Sequence, residues 1–241
     1  MQLPAPAQLL DLWEAGSQQP AGARVLDLLA ACSGESRARL AALSIGARDA
    51  QLLELRAFLF GSRVLCVCAC PQCAAVVEAG FEVDDLALAG TVKPANVLEH
   101  DGYRIRFRLP DSDDLQQVAA IASIDQASDA LLLRCVEEAR QAGQRVAPSA
   151  LPAAVADALG AAIAAADPLG EIQLSLTCPT CAHHWQGLFD IARFLWLEFH
   201  GWAQRLLQDV STLAQVFHWS EAAILGLGAR RRQAYLELCR P

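Results

Sequence analysis

Cys70-Pro71-Gln72-Cys73 and Cys178-Pro179-Thr180-Cys181 are two copies of C-P-x-C, and their reading decides how the rest of the chain is organised. Each copy sits at the bend of a short strand pair. Residues 63–69 and 74–83 flank the first, and residues 171–177 and 183–189 flank the second. A two-residue spacer turns two thiolates toward one point, and the proline fixes φ at the first spacer position. Two such knuckles facing each other supply four sulfurs in a tetrahedron. That is a closed structural Zn²⁺ site with no open position for catalysis, and its ligands are Cys70, Cys73, Cys178 and Cys181. Metal-free buried thiols and a redox pair are the other readings of C-x-x-C. A redox motif opens a helix in a βαβ unit, and neither copy does so. The residue after the second cysteine of a knuckle tends toward positive φ, where glycine is free of strain. Ala74 and Ala182 stand there instead, which places the turn geometry in question more than the metal. His183 lies near enough to be weighed as a substitute ligand, although its position suits a strand.

Composition narrows the class. The chain has 241 residues, 54% of them hydrophobic, enough for a buried core and too apolar for disorder. Its formal charge is −8, so phosphate neutralisation gains nothing overall and nucleic acid is not the expected partner. Residues 1–6 have no basic or continuous apolar character, so no signal peptide is expected, and no run matches a membrane span. Nine cysteines suit a metal site in a reducing cytosol better than a disulfide framework.

Taken in order, residues 5–61 read as helices. Apolar stripes run through Leu9, Leu10, Leu12 and Trp13, then Val25 to Leu29, then Leu52 to Phe60. Arg48 and Arg56 read as a solvated edge, or as ion-paired to Asp49 and Glu54. Residues 63–110 change to a period of two. Cys66 and Cys68 share a strand face with Cys70 and read as small core residues rather than ligands. Asp101-Gly102 signals a hairpin. It leads into a strand with Tyr103, Ile105 and Phe107 on one face and Arg104, Arg106 and Arg108 on the other. That arginine face suits an acidic partner, or else a half-solvated strand balanced by Glu78, Glu82 and Asp84. Residues 111–147 read as helix again, with Ala130, Leu131, Leu133 and Cys135 directed to the core, and the alanine-rich stretch to residue 166 adds one or two more helices.

The longest helix is expected at about residues 190–217, with Ile191, Leu195, Phe199, Trp202, Leu206, Val210, Leu213 and Phe217 in one stripe. Phe194, Trp196 and Leu197 add apolar mass around its start. A helix apolar on all sides needs cover on two sides, so Phe194, Trp196, Phe199, Trp202 and Trp219 are candidate partner contacts. Arg230, Arg231 and Arg232 stand in the first turn of the last helix, the unfavourable end for its dipole. They join the partner set, with pairing to Glu221 as the alternative.

The fold expected is α+β: a small antiparallel zinc-ribbon-like sheet surrounded by helices. The regions are 1–62 (N-terminal helical), 63–110 with 171–189 (β), 111–170 (middle helical) and 190–241 (C-terminal helical), forming one composite globular unit.

With these residues placed, the chain resembles the T-even-phage-like baseplate proteins of contractile phage tails and phage-derived injection systems. The resemblance rests on Leu43-Ser-Ile-Gly-Ala-Arg-Asp-Ala-Gln-Leu-Leu-Glu-Leu-Arg56 with Leu59-Phe-Gly61, and on the first C-P-x-C. It continues through Arg106-Phe-Arg-Leu-Pro110, Asp114-Leu115, Leu132-Leu-Arg-Cys135 and the second C-P-x-C. It ends with Phe189-Asp190, Phe194-Leu-Trp-Leu-Glu198, Trp219-Ser-Glu-Ala-Ala-Ile-Leu225 and Arg231-Arg-Gln-Ala-Tyr-Leu-Glu-Leu238. The order of these motifs carries it. The resemblance implies a structural or assembly role in a baseplate, without catalysis, beside other baseplate or hub proteins. A cytoplasmic stage during assembly is expected, and the resemblance leaves open whether the chain stays in a tail-like particle or only assists its assembly. The competing class is a zinc-ribbon regulator that binds nucleic acid, for which Arg104, Arg106, Arg108 and Arg230 to Arg232 are the basic faces available. An enzyme is not expected: G-x-S-x-G, H-E-x-x-H and a phosphate-binding glycine loop are all missing from the sequence.

Overall fold

The computed structural model describes residues 1–87 and 96–239, so the part of the expected β region at 88–95 lies outside the described residues. Two compact units emerge, one formed by Met1–Glu35 with Ala192–Pro241 and the other by Ser36–Ile191. Helices α1 (Pro6–Gly16) and α2 (Ala21–Ser33) open the chain. The second unit follows with α3 (Arg37–Ala41), α4 (Ile45–Phe60), β1 (Arg63–Ala69), β2 (Val76–Glu82) and α5 (Val83–Ala87). It continues with β3 (Val97–His100), β4 (Tyr103–Phe107), α6 (Ser112–Val118), α7 (Ile124–Cys135), β5 (Val136–Gln141) and β6 (Gln144–Val146). It closes with α8 (Ala153–Ala166), β7 (Ile172–Thr177) and β8 (His184–Phe189), before α9 (Ile191–Phe217), α10 (Glu221–Leu225) and α11 (Ala229–Leu238) return to the first unit.

The strands form three antiparallel sheets, not one. β1 pairs with β2, β7 pairs with β8, and a four-stranded sheet runs β3-β4-β5-β6. This corrects the single sheet expected from 63–110 with 171–189, and it corrects the helical reading of 111–147. Val136–Gln141 is a strand because α7 ends at Cys135, where Val136 takes extended geometry. Residues 136–141 then pair with β4, Ala139 lying opposite Ile105. The inner face of this sheet is a packed core: Ile105, Phe107, Cys135 and Ala139 meet Val155, Leu159 and Ile163 of α8. Of the α7 residues expected inside, only Cys135 is fully buried, and Leu133 is 40% exposed. Two-residue turns join the strands, with positive φ at Asp101 and Gly102, and again at Ala142 and Gly143.

The motif around α4 builds one junction of this unit. Ser44 caps the helix by accepting from the Ala47 amide, and the Ile45 amide donates to the Pro110 carbonyl. The Gly46 amide donates to Asp167 Oδ2 at 2.8 Å. A Cβ on Gly46 would collide with that carboxylate, so the approach requires glycine. Arg48 and Arg56 are both buried, not at a solvated edge. Arg48 pairs with Asp49 at 2.7 Å and reaches Ser112 Oγ at 3.2 Å. Arg56 donates to the carbonyls of Gly61 and Arg63, both at 2.6 Å, and so ties the end of α4 to the start of β1. Near the same junction Asp114, almost fully buried, accepts from Arg108 Nη2 at 2.8 Å, Arg134 Nε at 2.9 Å and the Asp111 amide at 3.1 Å. The Arg108 guanidinium holds its carboxyl well below the usual carboxylate range.

In the first unit the long helix carries the expected stripe. Ala203, Leu206, Val210 and Leu213 of α9 bury against Leu10, Ile224 and Leu225, with Trp13, Trp202, Phe217, Trp219 and Tyr235 half-buried around them. Trp13 Nε1 donates to His200 Nδ1 at 2.9 Å, which accounts for the single histidine on this helix.

Candidate metal centre

Both C-P-x-C segments form the same turn. The Cys70 amide donates to the Ala75 carbonyl and the Ala74 amide to the Cys70 carbonyl, each at 2.9 Å. Cys178 with His183 and Ala182 with Cys178 repeat those two bonds at the same distance. Ala74 and Ala182 take φ of 58° and 57°. The left-handed position that favours glycine is therefore present in both knuckles and is occupied by alanine, which costs about 1–2 kcal/mol per residue. The geometry that the two alanines placed in question is formed all the same.

The knuckles bring four sulfurs together. Cys70 Sγ lies 3.7 Å from Cys181 Sγ, and Cys73 Sγ lies 3.6 Å from Cys178 Sγ. All four Sγ atoms fall within 4.8 Å of one another. A tetrahedron of thiolates around an ion at about 2.3 Å has edges of about 3.8 Å, so the two short separations match a shared ion. A disulfide requires about 2.05 Å, and all nine cysteines are free. The first cysteine of each knuckle is buried and the second exposed. Among the described residues, these four form the one cluster of this kind.

The thiols of the cluster perturb one another. The Cys178 thiol is pulled down to about 6, first by the Cys181 amide and then, against desolvation, by the Thr180 amide and the neighbouring thiols. Cys181 is held up to about 12: the His183 amide lowers it, but desolvation and the thiols of Cys73, Cys178 and Cys70 prevail. Cys178 and Cys181 are thus shifted in opposite directions within the cluster, and a bound cation would take its cysteine ligands as thiolates. What the arrangement can do is bind a soft cation and cross-link two hairpins whose sequence positions lie far apart.

The other cysteines stand apart from this group. Cys32 and Cys135 are buried, and burial pushes each thiol up to about 11, so both are inert packing residues. Cys66 and Cys68 are half-buried rather than core, with sulfurs near the carbonyls of Ala79 and Val77. His183 stacks on Trp185 with ring centroids 5.9 Å apart, outside the sulfur cluster.

The candidate partner residues are placed as follows. Trp196 and Phe199 are buried at 4% and 1% exposure. The Trp196 ring packs over Gly16, and the Arg24 guanidinium sits 4.6 Å from its centroid. These two side chains therefore face the chain itself. Phe194, Trp202 and Trp219 are half-buried, while Arg230 and Arg231 are exposed. Arg232 is half-buried, with Nε 3.9 Å from Asp209. The arginine strand is balanced by partners other than those expected: Arg104 by Glu99, Arg106 by Glu137 and Glu138, and Arg108 by Asp111 and Asp114. Sequence reasoning missed Arg134, Arg140 and Arg145, because the strands that carry the last two were read as helix. The alternation Glu138, Arg140 before a glycine turn was the available signal.

A family model described as T4 bacteriophage base plate protein matches residues 8–196. No curated protein and no solved structure matches the chain. The matched span includes both knuckles, all of the Ser36–Ile191 unit and the junction built by Gly46, Arg108, Asp114 and Arg134. It ends inside α9, before Phe199. Since the match covers most of the sequence and every element that builds the four-sulfur cluster, the chain belongs to the T4 bacteriophage base plate protein family.

Proposed function

We propose that this chain is a non-enzymatic structural or assembly component of a contractile-tail baseplate, held in shape by one Zn²⁺ on Cys70, Cys73, Cys178 and Cys181. The observation that carries the reading is the four-sulfur cluster formed by two matching knuckles in a base plate family member. Four protein ligands leave a zinc ion no open position, so its role is cohesion rather than catalysis. The chain then acts through contacts with other baseplate or hub proteins. Phe194, Trp202 and Trp219, with Arg230, Arg231 and Arg232, supply the surface for that contact, whereas Trp196 and Phe199 fix α9 from inside. A protein partner suits this chain better than nucleic acid, because the Arg104, Arg106 and Arg108 face is interleaved with carboxylates and the net charge is −8.

Elemental analysis of protein purified without chelator is expected to find about one zinc per chain; a metal-free, stably folded protein overturns the metal reading. For the contact, Trp202→Ala is expected to leave the chain folded and to lose co-purification with the tail cluster's other products. Trp196→Ala is expected to destabilise it by about 3–5 kcal/mol. Retention of every partner by a folded Trp202→Ala protein removes that surface from the proposal.

A further inference from the structure

The outward face of the β3-β4-β5-β6 sheet carries a pattern of charge that its packing does not require. Arg104 on β4, Arg140 on β5 and Arg145 on β6 lie directly opposite one another on three adjacent strands. Neighbouring strands are about 4.8 Å apart, so three guanidinium side chains rise abreast. Like charges directly opposite each other destabilise a sheet, yet the row stands in a chain with a net charge of −8. Each guanidinium has a carboxylate within reach, but on this face four arginines, Arg104, Arg106, Arg140 and Arg145, share three glutamates. Glu138 alone serves three arginines: Arg140 at 2.8 Å, Arg145 at 3.7 Å and Arg106 at 3.8 Å. Glu99 lies 3.5 Å from Arg104, and Glu137 is occupied by Arg106. A guanidinium has five N–H donors, and the side chains of Arg104, Arg140 and Arg145 are 68%, 51% and 76% exposed. Most of their donors therefore face solvent. A shallow cavity of about 400 Å³, lined in part by Glu138, Arg145 and Val146, opens beside the row.

We infer that this sheet face is a docking surface for an acidic helix of a partner protein, whose carboxylates engage Arg104, Arg140 and Arg145. Carboxylates three or four residues apart on one helix face are about 5–6 Å from each other, close to the spacing of the strands. Each can pair with a guanidinium fork through two hydrogen bonds. Val97, opposite Arg106 and 42% exposed, offers an apolar contact at the end of the face for an aliphatic side-chain stem. Glu99, Glu137 and Glu138 set between the arginines oppose a continuous phosphate backbone, but a helix that presents its carboxylates singly passes between them. None of the residues that form this surface belongs to the four-sulfur cluster.

The probe is a fluorescent alanine-based helical peptide with glutamate at every fourth position, compared with the same peptide carrying glutamine there. Anisotropy titration of the full chain is expected to show salt-sensitive binding about tenfold tighter for the glutamate peptide. The double variant Arg104→Gln/Arg145→Gln is expected to lose that preference with its melting temperature unchanged or raised, since like charges have been removed. Glu138→Gln, which releases three guanidinium groups, is expected to tighten binding several-fold. Equal binding of the two peptides, or an unaltered affinity in the double variant, overturns the inference. So does weaker binding by Glu138→Gln. Tighter binding of an oligothymidylate than of the glutamate peptide overturns it in favour of nucleic acid.

Discussion

The two cysteine hairpins and the four-stranded sheet lie in the same unit and are both antiparallel, but they cohere by different means. The sheet has an apolar inner face in which Ile105, Phe107, Cys135 and Ala139 are almost inaccessible and α8 covers them. The hairpins bury less: Cys70, Val77 and Cys178 cluster at the knuckles, and Val64, Ile172 and Phe189 are buried towards the open ends. Leu65, Val67, Val76 and Leu188 on the same hairpins are between 61% and 71% exposed. Isolated two-stranded hairpins are marginal in water. The sheet is thus a hydrophobic construction, and under the proposed metal site the hairpin pair leans on its sulfurs as well.

The sharpest way to break this comparison is to take the sulfurs away. Cys73→Ser or Cys178→Ser, or a strong chelator, is expected to abolish amide-exchange protection in β1, β2, β7 and β8 and to destabilise the whole fold. Apparent zinc binding free energies of about 10–16 kcal/mol in zinc-finger peptides set the scale, because a structural ion's binding energy is folding energy. The ion would also close a loop over residues 74–177, which adds to the loss. Melting and exchange profiles unaltered by either substitution would show that the cysteines only fill space.

The reverse experiment acts on the sheet. Phe107→Ala is expected to cost about 3–5 kcal/mol through transfer and cavity terms, with bound metal still near one equivalent in the folded fraction. A denaturant titration together with metal analysis checks both halves. Loss of metal from a folded Phe107→Ala protein would show that the two regions are not distinct in their support.

A smaller effect is expected at Asp114, where the sheet is tied to α6 and α7 by charge. Its folded-state pKa is depressed, chiefly by the hydrogen bond from Arg108, with the Asp111 amide and Arg134 adding to it against desolvation. A depressed carboxyl contributes stability that is fully present above its unfolded value and is lost as pH falls below that value. Asp114→Asn is therefore expected to cost about 1–3 kcal/mol at neutral pH. The difference between wild type and variant should shrink as pH drops from about 4 downward. Chemical denaturation across that range measures it, and a gap that widens in acid contradicts the assignment.

How far these regions were legible follows from the same physics. The knuckles were readable because two thiols at fixed spacing leave few other uses for the pattern, and Asp101-Gly102 because both residues tolerate positive φ. Helix α9 was readable because Leu195, Phe199, Leu206, Val210 and Leu213 repeat at helical spacing over 27 residues. The β5-β6 hairpin was not. Val136-Glu-Glu-Ala-Arg-Gln141 has the composition of a helix surface, and its turn uses Ala142, at φ 48°, where a turn residue was expected. Its strand geometry comes from pairing with β4, which is a tertiary cause. The burial of Arg48 and Arg56 was hidden for a similar reason. Their acceptors, Ser112 Oγ and the carbonyls of Gly61 and Arg63, are assembled only by the fold.

The smallest expected effect separates knuckle geometry from knuckle chemistry. Ala74 and Ala182 hold φ of 58° and 57°, where a Cβ is strained and glycine is not. Glycine has a more flexible unfolded chain, so part of the relief is offset. The net gain for Ala74→Gly or Ala182→Gly is expected to be about 0.5–1 kcal/mol. Because the two turns repeat the same hydrogen bonds, the two gains should be equal and, in the double variant, additive within about 0.5 kcal/mol. Denaturant titration of the metal-loaded protein measures the gain. Competition with a chromophoric chelator tells whether it appears as tighter metal binding, the outcome expected if the turns are formed only with the ion. A gain in stability with no change in metal affinity would show instead that the knuckles are already folded without it, and that the hairpins rely on their sulfurs less than their thin core suggests.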